Sequence, residues 1–179
     1  MTPMTPMTPH LLSLLGLLAA TALAGCATPS GPRAVATLTP TTGNSTTGSV
    51  RFVQVGAKTL VSGEVRGLRP GAEHGFHVHE TGDCSSGDGM STGGHFNPTG
   101  SPHGHHDRGM QHAGDLPSLK ADAAGVATFS IESPTIRVGN GVTDIIGKGL
   151  IVHRDADDYT TQPTGNAGPR LACAVIVRS

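Results

Sequence analysis

From Arg33 onward, apolar and polar residues alternate in short bursts separated by glycine-rich punctuation. Ser49-Val50-Arg51-Phe52-Val53-Gln54-Val55 and Leu60-Val61-Ser62-Gly63-Glu64-Val65 show the pattern most plainly. A period of two places every second side chain on one face, so these segments predict half-buried strands. Similar runs occur at Ala34 to Leu38, Gly75 to His79, Val126 to Ile131, Gly149 to His153 and Leu171 to Val177, and no helical stripe of comparable length appears. Many short strands at this spacing predict an all-β antiparallel sandwich or barrel, most often with Greek-key connections. Two stretches, Glu80 to Leu119 and Arg154 to Arg170, are too long for hairpin turns. Long ordered loops in a compact domain are usually functional or stapled.

A different pattern precedes the strands. Leu11 to Leu23 is a continuous run of mostly Leu and Ala, shorter than the ~20 residues a membrane-spanning helix needs. It reads as the core of a signal peptide. The run ends in Leu23-Ala24-Gly25-Cys26, which resembles the lipobox of bacterial lipoproteins. Residues 1–25 are therefore expected to be a signal cleaved before Cys26. Lipidated Cys26 would anchor the chain in the cell envelope, residues 26–32 would form a tether, and 33–179 the domain. The repeated Met-Thr-Pro at the start lacks the Lys or Arg usual in a signal. The expected location is the exported, lipid-anchored face of a bacterial envelope, with the true start Met and the leaflet open.

Composition changes the picture in three ways. Aromatic residues are 3% of the 179, while Gly at 26 and Pro at 13 are plentiful, which favours turns over helices. A net charge of -1, with no Lys/Arg run, removes the electrostatic footprint of a nucleic-acid partner. With Cys26 assigned to lipid, Cys84 and Cys173 remain as an even pair in an exported chain, and a disulfide between them is expected.

The remaining outlier is ten histidines. In Gly75-Phe76-His77-Val78-His79 two of them alternate on a strand, so both imidazoles face one side and can converge on one ion. His95, His103, His112 and Asp115 follow in a Gly/Pro-rich loop, and imidazole with carboxylate suits zinc in a closed tetrahedral site. His153 ends the apolar run Leu150-Ile151-Val152 and is the further candidate for the first ion.

Four segments carry a family resemblance: Gly75-Phe76-His77-Val78-His79-Glu80, Gly94-His95-Phe96-Asn97-Pro98, His112-Ala113-Gly114-Asp115-Leu116 and Gly165-Asn166-Ala167-Gly168-Pro169-Arg170-Leu171-Ala172-Cys173. They resemble the copper/zinc superoxide dismutases. The resemblance implies an eight-stranded Greek-key β-barrel with two long functional loops. It also implies one copper on His77, His79, His95 and His153 and one zinc on His95, His103, His112 and Asp115, with His95 shared. Asp157 would accept hydrogen bonds from a copper and a zinc histidine, Arg170 would guide the anion, and Thr164 would line the channel. His95 and Arg170 would be the catalytic residues, and superoxide, taken to dioxygen and hydrogen peroxide, the substrate.

Donor chemistry agrees with this division. An all-imidazole set suits redox-active copper, whereas zinc accepts the carboxylate. Relative to the animal enzymes the loop before Arg170 is short, and Tyr159-Thr160-Thr161-Gln162-Pro163 lacks their charged steering residues. An inactive, lipid-anchored metal buffer would account for the histidines equally well. It would not account for Asp157 and Arg170. Of the other histidines, His74 is expected to pack beside the copper strand and bond to backbone, while for His105 and His106 a loose surface metal site, an entry point for metal and a plain solvated loop all stay open, the last favoured by their Gly and Asp neighbours. The sequence leaves the oligomeric state open, a homodimer included.

Overall fold

The computed structural model describes residues 30–179, together with Met1 and Pro3. The signal segment and Cys26 lie outside the described residues. Ten strands are present among the described residues: β1 Arg33–Pro40, β2 Thr47–Val55, β3 Lys58–Arg66, β4 Glu73–His74, β5 Phe76–His79, β6 Leu119–Lys120, β7 Val126–Ser133, β8 Gly149–His153, β9 Arg170–Val175 and β10 Val177–Arg178. The only helical element among the described residues is a 3-10 turn, Met90–Thr92. An eight-stranded sheet runs in the order β5-β8-β9-β1-β2-β3-β7, with β10 also on β1, and every strand pair in it is antiparallel. The crossovers from β3 to β5 and from β7 to β8 carry the chain between the ends of this order, as Greek-key connections do. The fold is all-β, as the alternation predicts.

Alternation decides which face is buried. Ala34, Ala36 and Leu38 of β1, Val50 and Phe52 of β2, and Val61 and Val65 of β3 all point into one apolar core, while their neighbours face outward. β5 and β8 differ, because every residue in them is buried. In β5, Phe76 and Val78 join the core, so His77 and His79 face the opposite side, where the long loops cover them.

Three features were not marked by the pattern. The pair β4–β6 has two residues per strand, too few to show a period. Residues 134–148 read as turn material, yet Ile136, Val138 and Ile145 are buried in the core. That segment is held by Thr59 Oγ1 donating to Ile136 O at 2.9 Å and by Val138 N donating to Gln54 Oε1 at 2.9 Å. Ile136 and Val138 alternate for only two positions before glycine, and Ile145 stands apart from them, so periodicity does not find the segment. At the N-terminal end, Pro32 O accepts from Gln54 N at 2.9 Å, so the chain is attached to the sheet from Pro32 on.

Cys84 and Cys173 form the expected disulfide, tying the loop after β5 to β9 across 89 residues. Closing a loop of that length stabilises by about 4 to 5 kcal/mol in the chain-entropy model. Urea denaturation of the Cys84→Ser/Cys173→Ser variant should show a loss of about 4 kcal/mol. Two reactive thiols in the denatured, unreduced protein would contradict the bridge.

Candidate metal centre

The centre is built on the edge of β5 that β8 does not use. On its paired edge, Phe76, His77, Val78 and His79 face Val152, Ile151, Leu150 and Gly149. On the other edge the long loop supplies isolated antiparallel bridges, His79 with His95 and His77 with Asp115. Phe96 N donates to Val78 O at 2.8 Å, Val78 N donates to Gly114 O at 2.9 Å, and Glu80 N donates to Gly94 O at 3.0 Å. The loop thus satisfies a strand edge that would otherwise be open, and in doing so sets His95 and Asp115 beside the two strand histidines. Gly114 is required by this closeness, since a Cβ there would lie 2.2 Å from Val78 O.

The structure brings His77, His79, His95 and His153 together in one buried group and His95, His103, His112 and Asp115 in another. Within each group the candidate ligand atoms lie within 4.8 Å of one another. His95 belongs to both groups. Its Nδ1 lies 2.7 Å from Asp115 Oδ1, in the second group, while its buried Nε2 has no hydrogen-bond partner.

Each ring is oriented through one nitrogen. His77 Nε2 bonds Asp157 Oδ2 at 2.7 Å, His79 Nδ1 bonds Gly93 O at 2.9 Å, and His153 Nδ1 bonds Gly168 O at 3.0 Å. A backbone carbonyl can only accept, so on His79 and His153 these bonds place the proton on Nδ1 and the lone pair on Nε2. The opposite nitrogens, His77 Nδ1, His79 Nε2 and His153 Nε2, are buried without a partner, as are His103 Nδ1 and His112 Nδ1. Buried polar atoms without partners are rare and call for an explanation. For the six histidines metal ions supply one, because their rings converge in two groups, whereas His74 Nε2 and Gln111 Oε1, also buried without a partner, lie outside both. The donor sets fit: four imidazoles in one group, three imidazoles and a carboxylate in the other. His103 Nδ1 and His112 Nδ1 lie 3.0 and 3.3 Å from oxygens of Asp115, near the ~3.3 Å that tetrahedral bonds of ~2.0 Å require.

Electrostatics separate the two groups. Burial first, then neighbouring histidines, hold His79 and His153 well below the ordinary imidazole range, and burial lowers His95 to about 4. These rings are neutral near pH 7, the form that ligates metal. At His103 burial acts in the same direction, but the neighbouring carboxylates of Asp115 and Asp157 overcome it and raise the group to about 9. Burial would raise Asp115, yet its contacts with His103, His112 and His95 keep its carboxyl well below the usual range. Asp157 is likewise held low, against burial, by His103, His77 and Tyr159 N–H. The second group is therefore a field that favours positive charge.

Asp157 joins the two groups from behind, with Oδ2 on His77 and Oδ1 2.8 Å from His103 Nε2. Arg170 lies on the other side. Its Nη1 donates to Gly89 O and, at 2.7 Å, to Thr92 Oγ1, and its Nη2 donates to Gly93 O at 2.7 Å. Gly93 O also accepts from His79, so one carbonyl sets the guanidinium beside a ligand of the all-imidazole group. No carboxylate makes a salt bridge with Arg170 among the described residues, and of its five N–H donors the Nε–H and one on Nη2 remain unused. Thr164 is half-buried in the loop between Asp157 and Arg170. His74 is buried, with Nδ1 2.8 Å from His153 O, as expected of a ring bonded to backbone.

Several supporting residues carry no chemical signature in the sequence. Gln162 clamps His103 at both backbone atoms, accepting from its N at 2.9 Å and donating to its O at 2.8 Å. Thr92 and Gly93 hold Arg170. Gly165 has φ 67, and a Cβ there would lie 1.9 Å from Asp157 Oδ1 and 2.4 Å from His103 Nε2. Its place beside Asn166 and Gly168 marks a turn, but not which bond the turn protects.

Comparison with known proteins agrees with this geometry. Residues 46–176 match the family model for copper/zinc superoxide dismutase. A superoxide dismutase [Cu-Zn] of Paramecium bursaria Chlorella virus 1 is 43% identical over 135 residues, covering 72% of this chain and 71% of that one. The crystal structure of the clock protein EA4 superimposes with a TM-score of 0.74 at 40% identity, over 87% of this chain and 99% of that chain. On the match of most of its length, and on the two histidine groups joined at His95, the chain belongs to the copper/zinc superoxide dismutase family.

Proposed function

We propose that the chain dismutates superoxide outside the cytoplasm, with copper held by His77, His79, His95 and His153 and zinc by His95, His103, His112 and Asp115. The observation that carries this reading is the set of unpartnered nitrogens, one on each of the six histidines, converging in two groups that share one ring. Bound copper supplies one-electron cycling, by which one superoxide leaves as dioxygen and a second, with two protons, as hydrogen peroxide, while zinc has no redox chemistry.

The protein's own residues do the rest. Arg170 attracts and orients the anion with its two unused N–H donors, its charge fixed in place by Gly89, Thr92 and Gly93. His95 keeps Nδ1 toward Asp115 and the zinc group, which leaves Nε2 to hold and release a proton for the product. Asp157 fixes the rings of His77 and His103 together, so that the two groups keep their relative position. An inactive metal buffer would need neither a tethered, unpaired guanidinium nor that coupling.

The envelope location rests on Leu23-Ala24-Gly25-Cys26 after the apolar run, which supports a lipidated Cys26. The Cys84–Cys173 bridge supports it independently, because disulfides persist in oxidising compartments.

Four outcomes follow from this reading. With both metals loaded, Arg170→Ala should keep its metal content yet lose about tenfold or more in kcat/KM for superoxide decay, the scale of electrostatic guidance. His153→Ala should lose copper and with it the activity. An Arg170→Ala rate equal to wild type would remove Arg170 from the reaction, and metallated wild type no faster than the copper-free protein would overturn the dismutase reading. Gly165→Ala should separate Asp157 from His103 and weaken zinc binding about 10- to 100-fold in competition with a chelator. Unchanged affinity would show that Asp157 does not position the zinc group. Cys26→Ser, expressed in a bacterium that processes lipoproteins, should move the protein from the membrane pellet to the soluble fraction. Retention in the pellet would contradict the anchor.

A further inference from the structure

Two residues past His103 the chain carries His105, His106 and Asp107, which belong to neither buried group. Each offers one ligand-capable atom, and these atoms lie within 4.8 Å of one another. His106 Nε2 is 3.4 Å from Asp107 Oδ1, and His105 Nδ1 is 3.8 Å from Asp107 Oδ2. Bonds of ~2.0 to 2.1 Å to a tetrahedral ion put neighbouring ligand atoms ~3.3 to 3.4 Å apart, close to the separation of His106 Nε2 from the carboxylate, so the group is near the size that such an ion needs.

The group is held rather than loose, which is where the structure departs from the solvated loop that the sequence suggests. The two imidazoles stack at 4.2 Å with 25° between their planes. Their side chains are only 33% and 26% exposed. Tyr159 packs edge-on against His105 at 4.6 Å and reaches His106 at 6.0 Å. Tyr159 is itself fixed, its N donating to Asp157 Oδ1 at 2.7 Å and its hydroxyl donating to Ser118 Oγ at 3.0 Å. The amide of Asp107 donates to His105 Nδ1 at 3.2 Å, which selects the tautomer with its lone pair there, toward the carboxylate. A bond that long is readily replaced by a metal. His106 Nδ1 is buried and has no hydrogen-bond partner, so no bond within the protein satisfies that nitrogen.

We propose that His105, His106 and Asp107 form a third transition-metal site on the rim of the loop that carries His103. Two imidazoles and one carboxylate suit zinc or copper(II), whereas magnesium and calcium take oxygen sets. Three protein ligands leave one coordination position open to solvent, and the partial exposure lets this ion exchange while the buried pair stays in place. The site stands whichever metal fills each buried group.

The test is calorimetric titration of zinc chloride into the holoenzyme with both buried positions filled. Wild type should bind one further equivalent. The His105→Gln/His106→Gln variant should bind none while keeping the two buried ions, Asp107→Asn should bind the further ion more weakly, and magnesium chloride should give no binding. Saturation of wild type at two ions, or a further equivalent retained by the double variant, would overturn the proposal. If the double variant lost its buried ions, Asp107→Asn would decide, and unchanged affinity for the further equivalent would count against the site.

Discussion

Everything around the outer edge of β5 depends on one constraint, which is that buried imidazole nitrogens converging at one place need a cation to face. Six histidines are buried together with two carboxylates in a region that the long loops seal from water. Each leaves a nitrogen unpartnered, and an unsatisfied buried polar group costs about 1 to 3 kcal/mol. Packing does not compensate for six of them. Cations at the two points of convergence would, which ties the proposed metal set to this part of the fold as well as to its chemistry.

The scaffold that holds the rings in place is made of shared contacts. The loop after β5 pairs with the strand's free edge, which sets His95 against His79 and Asp115 against His77. Asp157 couples a histidine of each group from behind. On the open side, the disulfide joins the loop to β9, the strand that begins with Arg170, and Gly93 O accepts from both Arg170 and His79. Movement of any one of these elements disturbs several ligands at once. The Arg170 guanidinium is therefore as fixed as the histidine rings, although it lies on a different strand.

Most of the strands and the ligand types were legible in the sequence because they are local. His77-Val78-His79 shows its shared face by period two alone, and β8 announces itself as an apolar run ending in His153. The register that sets His95 opposite His79 was not legible, because it joins a strand to an irregular loop and no spacing rule describes that pairing. Gly165 and Gln162 act through space on His103 and Asp157, so their importance appears only once the two loops are seen together. His105 and His106 misled in the other direction. Gly and Asp neighbours suggested solvent, while Tyr159, more than fifty residues away, covers one side of the pair.

The central claim is that His95 is one ring shared by two metal ions. It is tested most directly by electron paramagnetic resonance of protein carrying copper(II) in the all-imidazole group and cobalt(II) in place of zinc. A shared imidazolate predicts magnetic coupling between the two ions, so that the isolated copper(II) signal is strongly reduced and returns when zinc replaces cobalt. A full, unperturbed copper(II) signal beside bound cobalt would contradict a shared His95, and with it the account of the site as a single two-metal centre.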